Sequence, residues 1–484
     1  MSTLNALERC PTELLIDGEW RPSSDAHRLD VVDPATGERL AEVASASQDD
    51  AVAAVDAASR ALPRWAKTPS RERSVILRRA FELMTARAEE FATLITLENG
   101  KALSDARAEV SYAAEFFRWY SEEAVRLAGT VQTAPSGDYR ILVERAPIGV
   151  AVLVTPWNYP AAMATRKIGP ALAAGCSVVL KPASDTPLTA LAIGALLLEA
   201  GVPAGVVNVI PAHRSGTVVK TMLDQSAVRK LSFTGSTEVG RLLLRDAADR
   251  VISTSMELGG NAPFLVLEDA NLDAAVKGAM VAKMRNGGEA CTAANRFYVH
   301  ESVADEFGAR FAEAMRDLRV GPGLDEDTRL GPLINASARE RVHDLVCDAV
   351  ERGAKVLTGG RIPDRPGYYY EPTVLDGVTA GSAILKEEIF GPVAPIVRFG
   401  SVAEAVELAN DTEHGLVSYV YTADLRRGLQ LAEALETGMV GLNRGVVSDP
   451  AAPFGGVKAS GLGREGGHEG MLEYTETKYI ATSW

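Results

Sequence analysis

Apolar residues recur at three- and four-residue intervals over about residues 48 to 130. The segments SQDDAVAAVDAASRAL and SRERSVILRRAFELMTARAEEFATLITLENG show this spacing clearly. Such spacing predicts amphipathic helices. Asn99-Gly100 is a suitable helix end, because glycine adopts the left-handed conformation that follows many helices. We therefore expect a helical region before any sheet of this part of the chain.

Short apolar runs that each end in a turn signal come next. They occur in GVAVLVTPWNYP, CSVVLKPASDTP, GVVNVIPAHRSG and VRKLSFTGSTEVG, and helix-like AAMATRKIGPALAAG and LTALAIGALLLEAG lie between them. Continuous apolar strands that alternate with helices predict a parallel sheet covered on both faces. With right-handed crossovers this becomes a doubly wound α/β unit.

The alternation restarts after SMELGGNAPFLVLEDA. Strand-like AKVLTGG, PIVRF and SYVYT are separated by helical segments, which predicts a second α/β unit over about residues 258 to 440. Two further strand-like stretches, YRILVERAPIG and YTETKYIATSW, fall outside both units. They would form a small projecting sheet, and a terminal strand that needs a partner is compatible with an oligomer contact.

Polar side chains follow the predicted strands of the first unit. They are Thr155, Trp157 and Asn158 after one strand, Lys181 and Ser184 after the next, then Thr234, Gly235 and Ser236, and finally Glu257. Ligands of open parallel sheets bind at the carboxyl ends of the strands. Each residue also has an ordinary interpretation, as a solvated charge, a turn or a helix cap. Their joint occurrence favours one crevice.

Two of these strand ends suggest a dinucleotide. FTGSTEVG lacks the full G-x-G-x-x-G pattern. A strand, a glycine turn and a helix start can nevertheless present N–H groups to a phosphate. The segment KPAS adds a cation at a neighbouring strand end.

The stretch RNGGEACTAANR places Cys291 among small residues. A lone cysteine there is often a small hydrophobic core residue. Together with Glu257 and Asn158, however, it suggests covalent catalysis on a carbonyl. A thiolate would form a thiohemiacetal oxyanion, which the Asn158 amide and the Cys291 N–H could stabilise. After loss of hydride, Glu257 would activate water against the thioester.

Charge and cysteine usage exclude several function classes. The net charge is −14 in 484 residues without a Lys/Arg block, so we expect no nucleic-acid partner, although a local cationic pocket is compatible with this charge. The four cysteines form no CxxC, which argues against a disulfide scaffold and a metal site. No signal-peptide pattern and no bilayer-length apolar run is visible. We expect a cytoplasmic protein with no membrane partner.

Seven motifs resemble the NAD(P)-dependent aldehyde dehydrogenase superfamily. They are TPWNYP, KPASDTP, FTGSTEVG, MELGGNAP, GGEACTAANR, KEEIFGPV and PFGGVKASGLGREGG, in family order over nearly the whole chain. The resemblance implies an α/β fold with a Rossmann-like cofactor domain, a second α/β catalytic domain and a small β oligomerisation arm. The corresponding boundaries are 1–130 and 148–257, then 258–445, and 131–147 with 446–484. It also implies a homodimer or homotetramer.

The resemblance implies a role for each matching residue. Cys291 would be the nucleophile, Glu257 the general base and Asn158 the oxyanion donor. Lys181 would hold the adenosine ribose, Glu388 the nicotinamide ribose, and Phe390 would pack beside it. The full set expected to bind NAD or NADP is Thr155, Pro156, Trp157, Lys181, Ser184, Gly235, Ser236, Val239, Leu258, Glu388 and Phe390.

Three positions depart from patterns common in the superfamily. Ser184 replaces a glutamate that binds the ribose 2′-OH in many NAD-restricted relatives, so NADP is admissible, although Asp185 lies next to it. Glu289 replaces a glutamine; we expect it to face solvent, or else to perturb the thiol pKa. Ala293 stands where some relatives carry a second cysteine, which removes a local thiol switch.

Within the superfamily the chain resembles the succinate-semialdehyde dehydrogenases most. Arg166, Arg285 and Ser448 match the positions that bind the substrate carboxylate there. Two arginines can hold a carboxylate through charge-assisted hydrogen bonds. The alternative is that Arg166 and Arg285 form internal ion pairs with Glu or Asp.

The expected activity is therefore oxidation of succinic semialdehyde to succinate through a cysteine thioester. Another aliphatic, aromatic or ω-carboxy aldehyde, such as glutarate semialdehyde, is the alternative substrate. From another class, a cofactor-free thiol esterase could use the same cysteine and glutamate. A non-catalytic protein of this fold would not need Cys291, Glu257 and Asn158 together.

Overall fold

The computed structural model describes residues 3–483, with side chains from residue 6 onwards. Residues 1, 2 and 484 lie outside the described residues; they belong to the predicted segments 1–130 and 446–484. The helices are α1 (Thr3–Arg9), α2 (Gln48–Trp65), α3 (Ser70–Ala86), α4 (Ala88–Asn99), α5 (Leu103–Glu123), α6 (Pro160–Ala174), α7 (Pro187–Ala200), α8 (Ser215–Leu223), α9 (Thr237–Ala248), α10 (Leu272–Met284), α11 (Glu301–Arg316), α12 (Ala336–Glu351), α13 (Val402–Asn410), α14 (Leu425–Ala434) and α15 (Glu469–Leu472). Two short 3₁₀ helices span Arg285–Gly288 and Ala383–Leu385.

The strands are short; the central strands are buried, as expected for parallel sheets, and the peripheral ones are more exposed. They are β1 (Leu14–Ile16), β2 (Glu19–Arg21), β3 (Arg28–Asp33), β4 (Glu38–Ala44), β5 (Thr130–Thr133), β6 (Arg140–Pro147), β7 (Val150–Val154), β8 (Ser177–Lys181), β9 (Val207–Val209), β10 (Val228–Thr234), β11 (Ser253–Glu257), β12 (Ala262–Val266), β13 (Ala294–His300), β14 (Lys355–Thr358), β15 (Thr373–Asp376), β16 (Val393–Phe399), β17 (His414–Gly415), β18 (Val417–Tyr421), β19 (Met439–Leu442), β20 (Val457–Lys458), β21 (Gly461–Leu462) and β22 (Thr475–Thr482).

The first large sheet has the strand order β2-β1-β9-β8-β7-β10-β11-β21. Strands β9, β8, β7, β10 and β11 are parallel, and antiparallel strands close both edges. Alternate residues of β7 enter two different cores: Val150, Val152 and Val154 pack on one face, Ala151 and Leu153 on the other. Both faces are therefore covered by helices, as the continuous apolar strands predict.

The helices before this sheet follow the predicted pattern. Helices α2 to α5 occupy residues 48–123, and α4 ends at Asn99 with Gly100 at φ 88°. The Ser47 side chain caps α2, and Asp50 returns the bond to the Ser47 backbone, which satisfies two N–H groups at the helix start.

The second large sheet has the order β14-β15-β16-β13-β12-β18-β19. Only β14 is antiparallel to its neighbour; the other pairs are parallel. The predicted strands AKVLTGG, PIVRF and SYVYT lie in β14, β16 and β18. The predicted α/β class is confirmed; the domain boundaries stay predictions.

Three smaller sheets complete the fold. Strands β22, β6 and β5 form an antiparallel sheet, so the two strand-like stretches outside the α/β units do pair. Strands β3 and β4 pair with each other, as do β17 and β20. Across residues 3–483, no helix combines the length and apolar character needed to cross a bilayer.

Candidate active site

Three neighbouring parallel strands, β7, β10 and β11, end on one side of a cavity of about 330 Å³. Loops of the second sheet close its other side. The predicted residues that line it are Pro156, Trp157, Asn158, Arg166, Gly235, Ser236, Leu258, Arg285, Cys291, Glu388, Phe390 and Ser448. Thr155, Lys181, Ser184, Val239 and Glu257 do not line this cavity.

Cys291 follows a strained turn. Asn286, Gly287 and Gly288 adopt φ values of 56°, 61° and 82°, and two of these three positions are glycines, which tolerate that conformation. A Cβ on Gly260 would lie 2.5 Å from the Cys291 carbonyl oxygen, so the chain comes close to Cys291 at this point. The residue is partly exposed, yet protein atoms surround its sulfur. This burial raises the pKa of the thiol to about 12, against the opposing charge of Arg166.

Asn158 is fixed at both its backbone and its side chain. Its Nδ2 donates to the Glu289 carbonyl at 2.9 Å. Its own carbonyl accepts from Lys101 Nζ at 2.6 Å and from Asn286 Nδ2 at 3.0 Å. One amide hydrogen of Asn158 remains for a ligand in the cavity, because an amide nitrogen has two.

Glu257 ends β11 and is 2% exposed. Its Oε2 has no hydrogen-bond partner within the part of the chain that the structure describes. Burial, and then the charge of Glu465, raise its pKa well above the usual range. Its charge in turn raises the pKa of Cys291, so the two groups are electrostatically linked.

The two predicted carboxylate-binding arginines have different surroundings. Arg166 Nε lies 2.6 Å from Glu465 Oε2, although its N–H does not point at that oxygen well enough for a hydrogen bond. The internal ion pair considered as the alternative is therefore present for Arg166. Phe454 lies under its guanidinium at 4.2 Å.

Arg285 forms no ion pair with a carboxylate among residues 6–483. Its Nη2 donates to Thr292 Oγ1 at 3.5 Å and to Ser448 Oγ at 3.4 Å. The ring of Tyr159 lies 5.9 Å from its guanidinium. Asp105 also lines the cavity, and the charge of Arg285 lowers the pKa of that carboxyl, but it does not contact the guanidinium. A cation in a cavity without a carboxylate in contact is suited to bind an anion.

The remaining strand ends fit a phosphate-bearing dinucleotide. Lys181 is 4% exposed and has no hydrogen-bond or ion-pair partner among the described side chains, and burial lowers its pKa to about 8. Thr234 Oγ1 is also buried without a partner. Ser236 caps α9 by accepting from the Val239 N–H, which leaves other N–H groups of the first turn for an anion. The Ser184 hydroxyl donates to the Ala212 carbonyl at 3.0 Å.

Glu388, Trp157 and Phe390 line the cavity that contains Cys291. Glu388 Oε1 accepts from the Gly260 N–H at 3.4 Å, and burial raises its pKa to about 7. The rings of Trp157 and Phe390 meet edge to face at 5.3 Å. A Cβ on Gly259 would lie 3.1 Å from Glu388 Oε2, so glycine leaves space beside this carboxylate.

The expectation that Glu289 faces solvent is wrong. Glu289 is 3% exposed, and its Oε1 accepts from the Ile334 N–H at 3.1 Å. Burial raises its pKa to about 8. This carboxyl can be buried because the Ile334 N–H donates a hydrogen bond to it. The local sequence around Glu289 does not reveal this distant donor.

Several residues in or behind the cavity wall are not predicted from the sequence. Glu465 lies in GLGREGG, a motif recognised without a role, and pairs with both Arg166 and Lys167. Lys101 and Glu109 lie in the helical region and contact the segment around Asn158. Only the motif around Glu465 offered a signal.

Comparison with known proteins identifies the family of this chain. A model described as the aldehyde dehydrogenase family matches residues 20–480. The chain is 57% identical over 441 residues to a succinate-semialdehyde dehydrogenase of Paenarthrobacter nicotinovorans, covering 91% of this chain and 98% of that protein. It is 48% identical over 468 residues to a glutarate-semialdehyde dehydrogenase of Pseudomonas putida, covering 97% of each. A crystal structure of an E. coli NADP dependent enzyme superposes with a TM-score of 0.97 at 47% identity, covering 99% of both chains. The chain belongs to the aldehyde dehydrogenase family.

Proposed function

We propose that this protein oxidises succinic semialdehyde to succinate with NAD or NADP. The observation that carries the proposal is one cavity that contains Cys291, Asn158 and the unpaired guanidinium of Arg285. A thiol and an amide suit the aldehyde end of the substrate, and the guanidinium suits a carboxylate at its other end.

The covalent step requires a deprotonated thiol. The raised pKa of Cys291 keeps the thiol protonated at neutral pH, so its proton must pass to a base as the sulfur attacks. We propose ionised Glu257 as that base; it then releases the proton to solvent before the second step. The carbonyl oxygen then becomes an oxyanion. The free hydrogen of Asn158 Nδ2 and the Cys291 N–H are the donors proposed for it.

The nicotinamide cofactor, when bound, supplies the acceptor for the hydride that leaves the substrate carbon. Cys291 then holds a thioester. Glu257, once ionised, takes a proton from water, whose oxygen attacks the thioester carbon and releases succinate and the thiol. The charge of Arg166 favours ionised Glu257, because it lowers the pKa of that carboxyl.

Both cofactors are compatible with the adenosine end. Lys181 offers a cation, and Ser184 offers a small hydroxyl without a repelling charge. Asp185 lies close enough to raise the pKa of Lys181, and its charge would oppose a 2′-phosphate. We therefore propose use of either dinucleotide.

The deciding experiment is a kcat/KM panel of aldehydes with NAD and with NADP. We expect succinic semialdehyde to exceed propanal, and reduced cofactor to accumulate. Cys291→Ala should abolish turnover while the dissociation constant of the cofactor stays unchanged. Ester hydrolysis without any aldehyde oxidation would favour the thiol esterase instead.

Glutarate semialdehyde is the second candidate, because a relative that is 48% identical carries that name. It is one methylene longer, and one methylene in an apolar pocket changes selectivity by only about 1–3 kcal/mol. A higher kcat/KM for it in the same panel would reassign the substrate. A cytoplasmic location and a homodimer or homotetramer complete the proposal.

A further inference from the structure

The segment around Asn158 has no regular backbone pairing of its own. Residues 155–159 form an irregular connection between β7 and α6. The position of Asn158 therefore depends on hydrogen bonds from other parts of the chain. Two donors meet at its carbonyl oxygen, Lys101 Nζ at 2.6 Å and Asn286 Nδ2 at 3.0 Å.

Lys101 makes its second contact with a buried carboxylate. Its Nζ lies 2.6 Å from Glu109 Oε2, with side-chain exposures of 2% and 0%. The ring of Tyr159 lies 4.4 Å from the same ammonium. Replacing a buried ion pair by apolar side chains is often neutral or stabilising, so stability alone does not explain this pair.

Glu109 extends the contact into α6. Its Oε1 accepts from the Ala161 N–H at 2.9 Å and from the Ala162 N–H at 3.2 Å. Tyr159, the residue before α6, supplies no side-chain cap. Glu109 therefore caps α6 from a different helix, and its negative charge suits the positive end of α6.

The same helix carries Arg166, whose guanidinium lines the cavity. Asn158 and Arg166 are eight positions apart, within one continuous segment. Lys101 holds the beginning of this segment, and Glu109 holds the first turn of the helix that follows.

We propose that the Lys101–Glu109 pair is a positioning device for the substrate. It fixes the oxyanion donor Asn158 and the first turn of α6 as one unit, so that the aldehyde end and the carboxylate end of the substrate meet their partners together. Neither side chain of the pair reacts. This inference rests on the proposed function and adds two positioning residues to it.

A double-mutant cycle tests the pair. Lys101→Met should lower kcat by roughly 10- to 100-fold, because displacement of a reacting geometry by about 1 Å can cost 100-fold. In an Asn158→Ala background the same substitution should lower kcat less than about threefold. The effects of two residues are not additive when one acts through the other. The dissociation constant of the cofactor should not change. An equal loss in both backgrounds would overturn the proposal.

A matched control separates positioning from folding. Lys230 is buried, and its Nζ lies 3.1 Å from Glu473. Lys230→Met should lower Tm. Any factor by which it changes kcat should be the same in the wild-type and the Asn158→Ala backgrounds. If Lys101→Met does not fold, Glu109→Gln enters the same cycle, since an amide oxygen can still accept from the Ala161 N–H. Additivity of that variant would likewise overturn the proposal.

The cycle does not depend on dehydrogenase turnover. It can be repeated on cofactor-free hydrolysis of p-nitrophenyl acetate, in which Cys291 would attack the ester carbonyl and Asn158 would stabilise the oxyanion. If the wild-type protein oxidises no semialdehyde, the proposed function fails. The role of Lys101 and Glu109 is still decided by whether the effects of the substitutions on the rate of ester hydrolysis are additive.

Discussion

Arg166 and Glu465 are in contact in the wall of the cavity, with Nε 2.6 Å from Oε2 and both side chains almost fully buried. Arg285, by contrast, has only neutral partners among residues 6–483. The two arginines are therefore not equivalent. No carboxylate of residues 6–483 contacts Arg285, although Asp105 interacts with its charge from a greater distance, so Arg285 can bind an incoming carboxylate. Arg166 is already paired with Glu465.

Replacement of Arg285 by alanine should mainly weaken substrate binding. A hydrogen bond to a charged group contributes about 1.5–3 kcal/mol. We expect KM for succinic semialdehyde to rise roughly 10- to 100-fold, with little change for propanal. The exposed Arg241, paired with Glu413, is the control. Equal effects of Arg285→Ala on both aldehydes would rule out the carboxylate role.

The pH dependence of the wild-type enzyme should rise through the neutral range. Cys291 and Glu257 both have raised pKa values, and both must lose a proton to act. The active fraction therefore grows as pH increases. We expect kcat/KM to increase above pH 7, measured with succinic semialdehyde in constant-ionic-strength buffers. A profile that falls over this range would contradict the assigned protonation states.

Glu465→Gln should move that profile to lower pH. The negative charge of Glu465 raises the pKa of Glu257, so its removal lowers that pKa and the base ionises earlier. The effect should appear in the acidic limb of kcat. Glu473→Gln, which alters another buried lysine contact, should leave the limb in place. An unmoved limb in Glu465→Gln would show that the two carboxyls are not coupled.

Gly260→Ala should displace the nucleophile Cys291 while its thiol stays in place as a chemical group. The new Cβ would lie 2.5 Å from the Cys291 carbonyl oxygen, and overpacking of this kind costs about 1–3 kcal/mol. We expect a lower Tm and a lower kcat. Gly216, in α8, has open space around its Cβ position, so Gly216→Ala should be tolerated. Normal kcat in Gly260→Ala would mean that the loop relaxes freely.

The sequence predicts the parts of the site that follow local patterns. The ends of β7, β8 and β10 come directly from apolar runs followed by turn residues, and adjacent parallel strands must end on the same side. The Cys291 segment stands out because a cysteine lies among glycines and alanines. The sequence alone therefore predicts that Asn158, Lys181 and Glu257 lie at strand ends.

Other contacts depend on residues far apart in the chain. Glu465 approaches Lys167 across 298 positions, and no periodicity relates them. Strand β21 has two residues, too few for an alternation to show. Glu289 is buried because Ile334 donates to it, a partner that only the folded chain identifies.

The late position of Glu465 has a consequence for biosynthesis. Arg166 and Lys167 lie in the interior, and the carboxylate that pairs with both of them is reached only at residue 465. A nascent chain that stops before it would hold two buried cations without their ion-pair partner, a costly arrangement. Translation must therefore pass residue 465, and β21 must pair with the edge of the first sheet, before the catalytic centre can adopt its folded arrangement.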